Sequence, residues 1–298
     1  DYFVAEACEY TDSFLQFFPR ISVVLNIEED HLDYFADIHA IRRSFRHFME
    51  LLPEDGTLII NGDIPQLNEL TDGLRCHVVT FGSGSASDYS PADISFDENG
   101  CGHYRLQHAG ENCSVSLGVV GMHNILNSLA TLAVTDVLGV SRDTSLEALA
   151  AFRGAARRFE FKGKLGGITV MDDYAHHPTE IRATLTAAQN YPHKKLRLVF
   201  QPHTYTRTKA FLSEFAEVLA MADEVILADI YAAREKNTIG ISSKDLQEQM
   251  RKNGKEALYF PYFDDIETWL LTHAEDGDLI LTMGAGDIYK VGEKLLGA

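Results

Sequence analysis

Apolar residues in this chain occur in short runs that alternate with stretches of helical spacing. Short runs rich in β-branched residues and bounded by turn residues are typical of buried strands in a parallel sheet. In the first half such runs occupy residues 21–27 and 57–61, and apolar residues recur at helical spacing through 38–52. The second half predicts strands at 168–171, 196–200, 224–228 and 278–282, and helices at 179–190, 208–221 and 243–253. This alternation predicts an α/β fold with parallel sheets.

Two stretches differ from this alternation. Residues 1–6 have the composition of a buried strand, and the chain has no initiating Met, so we expect it to be a piece of a longer protein. Residues 76–117 contain short apolar runs between clusters of Gly, Ser and Asp, which predicts an antiparallel β region. With a boundary expected near 155–157, we predict two domains, 1–156 and 157–298.

Length and composition limit the class of protein. The chain has 298 residues, of which 45% are hydrophobic and 23% charged, as in ordinary soluble globular proteins. No apolar run approaches the ~20 residues of a membrane span, and no secretory signal opens the chain, so we expect a cytoplasmic protein without membrane insertion. The net charge of −18 argues against a nucleic-acid partner. The four cysteines show no metal-ligand spacing, which favours free thiols.

One segment concentrates acids and bases at the end of a predicted strand. It contains Asp172, Asp173, His176 and His177, followed by Pro178-Thr179-Glu180. Proline and glutamate in this order are typical of a first helical turn. In open α/β sheets, ligands bind at the carboxyl ends of the strands, so the segment is a candidate site. The alternative is an ordinary polar loop between a strand and a helix.

A second polar segment follows the next predicted strand. His203 and Arg207 lie four residues apart among several hydroxyl side chains, a composition that suits an anion, although a plain polar loop remains the alternative. Successive strands joined by one crossover helix are often neighbours, so we expect the strands at 168–171 and 196–200 to lie side by side. Their carboxyl ends would then bring His176 and Arg207 to the same edge of the sheet.

Two shorter features lie near the ends of the second half. Arg157 and Arg158 are adjacent at the expected domain boundary, where they indicate either phosphate contact or ion pairing between domains. Gly284 and Gly286 follow the last predicted strand as a single Gly-Ala-Gly motif. For this motif a tight turn or close packing is the favoured interpretation.

The first half contains two further candidates. Glu6 follows one predicted strand and His31 follows another, so parallel pairing would place them side by side, where a carboxylate and an imidazole suit Mg²⁺. The alternative is a solvated acidic loop formed by Glu28, Glu29, Asp30 and Asp33. At a helix start, three polar side chains suit either a planar ring ligand or ordinary helix capping, which is favoured. They are His123, Asn124 and Asn127.

Taken in order, these segments resemble the Mur ligases of peptidoglycan synthesis over nearly the whole chain. The resemblance implies a central ATPase-type domain, truncated at its start, and a complete C-terminal doubly wound, Rossmann-like domain. Family members begin with a UDP-sugar-binding domain and a P-loop, and no G-x-x-x-x-G-K-[ST] occurs in this sequence. We therefore expect the isolated chain to be inactive, with the missing N-terminal domain present in the intact protein. The matching residues include Ala5-Glu6-Ala7-Cys8-Glu9, Asp30-His31-Leu32-Asp33, Gly121-Met122-His123-Asn124, Arg157-Arg158-Phe159, Asp173-Tyr174-Ala175-His176-His177, Gln201-Pro202-His203-Thr204 and Tyr231-Ala232-Ala233-Arg234-Glu235.

For the intact protein the resemblance implies an ATP-dependent ligation that joins L-alanine to UDP-N-acetylmuramate through an acyl phosphate. A ligase that recycles a ready-made tripeptide onto the same sugar and a non-catalytic nucleotide-binding remnant remain the alternatives. The resemblance also assigns roles to residues of both domains, and a hinge near 155–157 would close the site. Glu6 and His31 would hold Mg²⁺; His123, Asn124 and Asn127 would contact the adenine side of ATP; Arg158 and Asp173 would reach its phosphates and ribose; and Arg158, His176, His203 and Arg207 would form the catalytic pocket.

Overall fold

Three parallel strands form the first sheet in the computed structural model, which describes residues 2–32 and 34–297. They are β1 (Ile21–Val24), β2 (Thr57–Asn61) and β3 (His77–Phe81), in the order β1-β2-β3. Every residue of β2 except the last is buried, as expected for a central parallel strand. Helix α1 (Ile38–Glu50) begins at Asp37, whose carboxylate accepts a hydrogen bond from the Ala40 N–H at 2.8 Å. The predicted strands and helix of this region are confirmed.

A second, three-stranded sheet follows in the same unit, in the order β4-β5-β6. Strands β4 and β5 pair antiparallel, which confirms the predicted antiparallel region there. The prediction was wrong for β3, which pairs parallel with β2 because its apolar residues extend the first sheet. The remaining elements of this part are a 3₁₀ segment (Tyr10–Gln16), α2 (Leu67–Thr71), β4 (Ser90–Phe96), β5 (Cys101–His108), β6 (Glu111–Val120), α3 (Met122–Val137) and α4 (Arg142–Ala151).

The strand expected at residues 1–6 is wrong for the described residues. Residues 2–9 lie outside every helix and strand, and Tyr2, Phe3 and Val4 are exposed. A strand needs a neighbour that accepts its backbone hydrogen bonds, and an apolar composition alone does not provide one. Asp1 lies outside the described residues.

The second half forms a six-stranded sheet in the order β11-β10-β9-β12-β8-β7. All adjacent strands are parallel except β7 and β8, which pair antiparallel. The four predicted strands are confirmed, whereas β7 and β11 were not predicted. The elements are β7 (Glu160–Leu165), β8 (Ile168–Asp173), α5 (Pro178–Gln189), β9 (Leu196–Phe200), α6 (Tyr205–Ala210), α7 (Leu212–Leu219), β10 (Glu224–Leu227), α8 (Ser243–Lys252), β11 (Leu258–Tyr259), α9 (Phe263–His273), β12 (Leu279–Met283) and α10 (Tyr289–Leu295).

Strand β12 lies between β8 and β9, so the expectation that β8 and β9 are neighbours is wrong. The helices that follow β8 and β9 pack on one face of the sheet, where Ile181 and Phe215 are buried in one apolar cluster. The helices on either side of β12 in sequence pack on the other face, around Ile266 and Val291. The helices that connect the strands therefore change from one face of the sheet to the other at β12. In doubly wound sheets such a change opens a crevice at the carboxyl ends of the strands.

By their packing, the described residues divide into two compact units. The first contains the residues up to Asp97 together with Cys101–Gly118 and Met122–Phe152. The second contains Glu98–Gly100, Val119–Gly121 and the residues from Arg153 onward. The main division lies between Phe152 and Arg153, and the domain boundary expected at 156/157 stays a prediction. None of the helices among the described residues has the length and apolarity of a membrane span.

The second unit contains a buried ion pair whose removal tests the fold. Arg197 donates to the Asp278 carboxylate at 2.7 Å and to the His273 carbonyl at 2.6 Å, and it also pairs with Glu224. We expect Arg197→Met to lower the free energy of unfolding by about 3–5 kcal/mol, because it leaves a buried carboxylate unpaired. The single tryptophan, Trp269, lies in this unit, so urea unfolding followed by its fluorescence reports on it.

The matched control is Arg182→Met, because Arg182 pairs with Glu217 at 2.8 Å on the exposed surface. Exposed pairs contribute only about 0–1 kcal/mol, so the control is expected to unfold at nearly the parent urea concentration. Equal effects of the two substitutions would contradict the assigned role of Arg197.

Candidate functional site

Four loops follow the carboxyl ends of parallel strands in the second unit, after β8, β9, β10 and β12. The loops after β8 and β9 bring the rings of His176 and His203 within 5.6 Å between centroids. Arg207 lies in the first turn of α6, directly after the loop that carries His203. The expected shared edge is therefore confirmed, although the two strands are separated by β12.

His203 is held by a stacking contact on its ring face and by a hydrogen bond at one ring nitrogen. It stacks on Tyr231 with 5.7 Å between centroids and 17° between planes. The Arg207 Nη1 lies 3.2 Å from the His203 Nδ1, and because a guanidinium only donates, that nitrogen accepts and the ring proton is on Nε2. The loops of these residues also pair through the backbone, where Thr204 N–H donates to the Tyr231 carbonyl at 2.8 Å. A cation and a neutral imidazole donor thus lie together, which suits an anionic ligand.

His176 is held by the start of α5. Its Nδ1 lies 3.0 Å from the Tyr174 carbonyl and 3.4 Å from the Glu180 carboxylate, so Nδ1 is the donor nitrogen. Glu180 also accepts the backbone N–H groups of His176 and His177 at 3.0 and 3.2 Å. The predicted helix start at Pro178 is confirmed, and its glutamate orients the histidine as well as satisfying the helix terminus.

Two features of the loop after β9 were not predicted from the sequence. Thr204 has φ 64° and ψ 147°, an unfavourable conformation for a β-branched residue, of the kind found at functional sites. Glu235 accepts the backbone N–H groups of Tyr205 and Thr206 at 2.7 and 3.0 Å and so caps α6. The only sequence signal for this cap was Glu235, the last residue of the Tyr-Ala-Ala-Arg-Glu motif. The helix that it caps is distant in the chain.

Asp173 is buried and used inside the second unit. Its carboxylate accepts the backbone N–H of Ala175 at 2.7 Å and that of Phe159 at 2.8 Å. Burial raises the pKa of Asp173 to about 6, against the opposing effect of these hydrogen bonds and of the Arg158 charge. The structure therefore gives Asp173 a role in fixing two loops, and its predicted contact with a nucleotide stays a prediction.

The two adjacent arginines differ in their surroundings. The side chain of Arg158 is 53% exposed, 4.0 Å from the Glu180 carboxylate and 5.7 Å from the centroid of the Tyr174 ring. It presents its charge beside the loop of His176, where an anionic ligand can meet it. Arg157 pairs instead with the buried Asp172 at 2.8 Å, within the same unit. Of the two sequence interpretations, phosphate contact therefore remains open for Arg158, and the ion pair of Arg157 is not one between domains.

The three polar residues expected to contact adenine lie together in the first unit, at the start of α3. The Asn124 Nδ2 is 3.2 Å from the His123 Nε2, and the Asn127 Nδ2 donates to the Asn124 Oδ1 at 3.4 Å. The structure thus gathers these side chains on one helical turn. Their contact with a nucleotide stays a prediction.

The expected pairing of Glu6 and His31 at two strand ends is wrong, because Glu6 is exposed and lies outside every strand. The His31 Nε2 lies 3.3 Å from the Glu9 carboxylate and 3.8 Å from that of Asp30. The hydrogen bond from His31 holds the pKa of Glu9 below its usual value. Asp33 lies outside the described residues.

Glu6 and His31 are the residues expected from the sequence to bind Mg²⁺. Within residues 2–32 and 34–297, no three His, Cys, Asp or Glu side chains are grouped so that they could hold a metal ion. The assignment of Glu6 and His31 as metal ligands stays a prediction.

Comparison with known proteins identifies the family. The sequence model described as "Mur ligase, glutamate ligase domain" matches residues 157–286, and that of the Mur ligase middle domain matches residues 1–135. The chain belongs to the Mur ligases. A UDP-N-acetylmuramate–L-alanine ligase of Lachnospira eligens is 55% identical over 298 residues, and one of Agathobacter rectalis is 52% identical over 297 residues. Each alignment covers 99% of this Mur ligase chain, which spans 65% of the length of either relative.

Solved structures share the fold. The UDP-N-acetylmuramate–alanine ligase of Thermotoga maritima aligns with a TM-score of 0.77 at 28% identity, over 96% of this chain and 61% of its own. A murein peptide ligase of Psychrobacter arcticus aligns with a TM-score of 0.66 at 26% identity, over 96% and 58%. A further Mur ligase of Thermotoga maritima, solved in complex with ADP, has a TM-score of 0.74 at 21% identity over 94% and 62%, which shows the fold alone.

The raised pKa of Asp173 predicts how stability changes with pH. The folded chain holds this proton more tightly than the unfolded chain, whose carboxyl has a pKa near 3.8, so stability falls as the pH rises from about 4 to about 6. This difference between the folded and unfolded pKa corresponds to about 3 kcal/mol. We expect this decline in the urea unfolding of the parent chain, followed by Trp269 fluorescence, and a smaller decline in Asp173→Asn. Parallel pH profiles for the two proteins would contradict the prediction.

Proposed function

We propose that the intact protein is an ATP-dependent ligase that joins L-alanine to UDP-N-acetylmuramate in peptidoglycan synthesis. The single observation that carries the proposal is the cluster of His176, His203 and Arg207 at the carboxyl edge of the second sheet. The relatives named as UDP-N-acetylmuramate–L-alanine ligases, about half identical over 99% of the chain, support the same activity.

The proposed reaction activates a carboxylate before the amine attacks it. The lactyl carboxylate of the sugar attacks the γ-phosphate of ATP to give an acyl phosphate and ADP. The amine of L-alanine then attacks the acyl carbon, and phosphate leaves the tetrahedral intermediate. Negative charge accumulates on oxygen in both steps, and preorganised donors stabilise it.

The residues of this chain supply such donors. Arg207 carries a permanent charge and is oriented by His203, whose remaining ring N–H is a second donor. Arg158 adds a second exposed cation beside the loop of His176. We assign Arg158, His176, His203 and Arg207 to the binding of the acyl phosphate and of the carboxylate of the amino acid. Asp173 is assigned to the positioning of the loops that carry them. ATP binding through His123, Asn124 and Asn127, and Mg²⁺ binding through Glu6 and His31, belong to the proposal through the family resemblance.

The acceptor test separates the proposed ligase from the tripeptide-recycling ligase. The full-length protein is incubated with ATP, UDP-N-acetylmuramate and either L-alanine or a cell-wall tripeptide, and phosphate release is measured. We expect release that depends on L-alanine, because the L-alanine ligases are about half identical to this chain, whereas the murein peptide ligase of Psychrobacter arcticus is 26% identical. Preferential use of the tripeptide would assign the recycling activity instead.

The 298-residue chain itself is expected to release no alanine-dependent phosphate. It lacks a Gly-Lys-Thr loop for the triphosphate, and proximity and charge stabilisation each supply several kcal/mol of the barrier reduction. If neither this chain nor the full-length protein releases phosphate, the protein is a non-catalytic remnant. Turnover by the 298-residue chain alone would refute the expectation of inactivity.

Arg207 is the residue whose substitution tests the acceptor pocket. In the full-length protein we expect Arg207→Ala to lower kcat/KM for L-alanine by roughly 10- to 100-fold, because a hydrogen bond to a charged group is lost. Arg182→Met, which removes an exposed ion pair on α5, is the control and should leave kcat/KM unchanged. An unchanged kcat/KM in Arg207→Ala, with the unfolding curve of the parent, would remove Arg207 from the site.

A further inference from the structure

Three N–H groups of the Arg157 guanidinium donate within its own unit, although the sequence left open a phosphate contact for this residue as well as an ion pair between domains. Its Nε donates to the Asp172 carboxylate at 2.8 Å. Its Nη1 and Nη2 donate to the carbonyls of Gly286 at 3.1 Å and Gly284 at 2.7 Å. The side chain is 22% exposed, and that of Asp172 is 1% exposed. A phosphate would have to compete with a buried carboxylate for this guanidinium, which argues against a phosphate-binding role.

The surroundings of Arg157 leave its guanidinium little freedom. The guanidinium carbon lies 4.8 Å from the centroid of the Tyr174 ring and 4.7 Å from that of Tyr289. The second oxygen of Asp172 accepts the Thr282 hydroxyl at 2.7 Å. Arg157 thus joins the ends of β8 and β12 and the start of α10, which are distant in sequence.

These contacts fix the orientation of two peptides in the loop after β12. A peptide is planar and trans, so a carbonyl directed at Arg157 turns the following N–H away from it. The N–H that follows Gly286 belongs to Asp287, and it donates to the Gln201 side-chain carbonyl at 3.0 Å. Gln201 begins the loop after β9 that carries His203. Arg157 is therefore connected through one loop to the position of His203.

The backbone of Arg157 is connected to the other histidine. Its carbonyl accepts the Tyr174 N–H at 2.7 Å, two residues before His176. Its own N–H donates to the Glu160 carboxylate at 2.8 Å, and its φ of 58° is in the left-handed region, so the residue is held away from its preferred conformation. The same residue thus constrains the loops of His176 and His203.

We propose that Arg157 is a positioning residue, which orients the Gly284–Gly286 loop and thereby the loops of His176 and His203, and does not bind substrate phosphate itself. The proposal rests on the proposed function of this site. It predicts that loss of Arg157 impairs the chemical step and leaves nucleotide binding unchanged.

The kinetic test uses the full-length protein with Arg157→Met, Arg157→Lys and Asp172→Asn. We expect Arg157→Met to lower kcat roughly 10- to 100-fold, as small displacements of reacting groups do, with the KM for ATP within about twofold of the parent. Lysine lacks the planar fork that reaches two carbonyls and a carboxylate, so Arg157→Lys should remain impaired. Asp172→Asn should lower kcat in the same way, and the double variant Arg157→Met with Asp172→Asn should be no worse than the poorer single variant. The control is Arg182→Met.

A KM for ATP that rises while kcat is unchanged would show direct phosphate contact and overturn the proposal. Full activity in Arg157→Lys would show that only the charge matters, which also overturns it. Hydrogen exchange of the 298-residue chain provides a readout without turnover: Arg157→Met should speed exchange of the Gly284 and Asp287 amides at least tenfold and leave the first unit unchanged. If the unsubstituted full-length protein does not ligate, the proposed function fails, while unchanged exchange in Arg157→Met refutes the positioning role separately.

Discussion

The site in the second unit depends on the parallel direction of four strands, β8, β12, β9 and β10. Parallel strands end at the same edge of a sheet, so the polar residues that follow each strand meet there irrespective of their separation in sequence. Strand β12 lies in the middle and its following helix packs on the opposite face from the helices after β8 and β9. The crevice at this reversal receives His176 from one side and His203 from the other.

The charges at this edge divide into two groups by their burial. Asp172 and Asp173 are both buried, and each is satisfied by an arginine, a hydroxyl or backbone N–H groups. An unmatched buried charge costs several kcal/mol, so these groups fix loops in place. Arg158 lies on the outside, with 53% of its side chain exposed. The charged residues at this edge of the sheet therefore include both structural residues and a candidate for ligand contact.

Several elements were predicted because their signals are local. The capping glutamate and Pro178 predicted the start of α5, and short apolar runs predicted β8, β9, β10 and β12. The Gly-Ala-Gly motif was correctly interpreted as close packing: a side chain at Gly286 would approach the Tyr231 ring to 2.7 Å, and one at Gly284 the Gln201 carbonyl to 2.6 Å. The predicted strand at residues 1–6 failed because its apolar residues say nothing about a hydrogen-bonding neighbour, and β3 was assigned to the wrong sheet for the same reason.

The sequence by itself determined the positions of the four strands β8, β9, β10 and β12, the helix start at Pro178 and the residue types of the site, because these follow from hydrophobic periodicity and local hydrogen bonding. Only the tertiary structure decided that β12 separates β8 from β9, since strand order depends on packing between distant segments. Only the tertiary structure separated Arg157 from Arg158. Adjacent residues of the same type differ in role when one is matched to a buried carboxylate 15 residues away and the other is exposed.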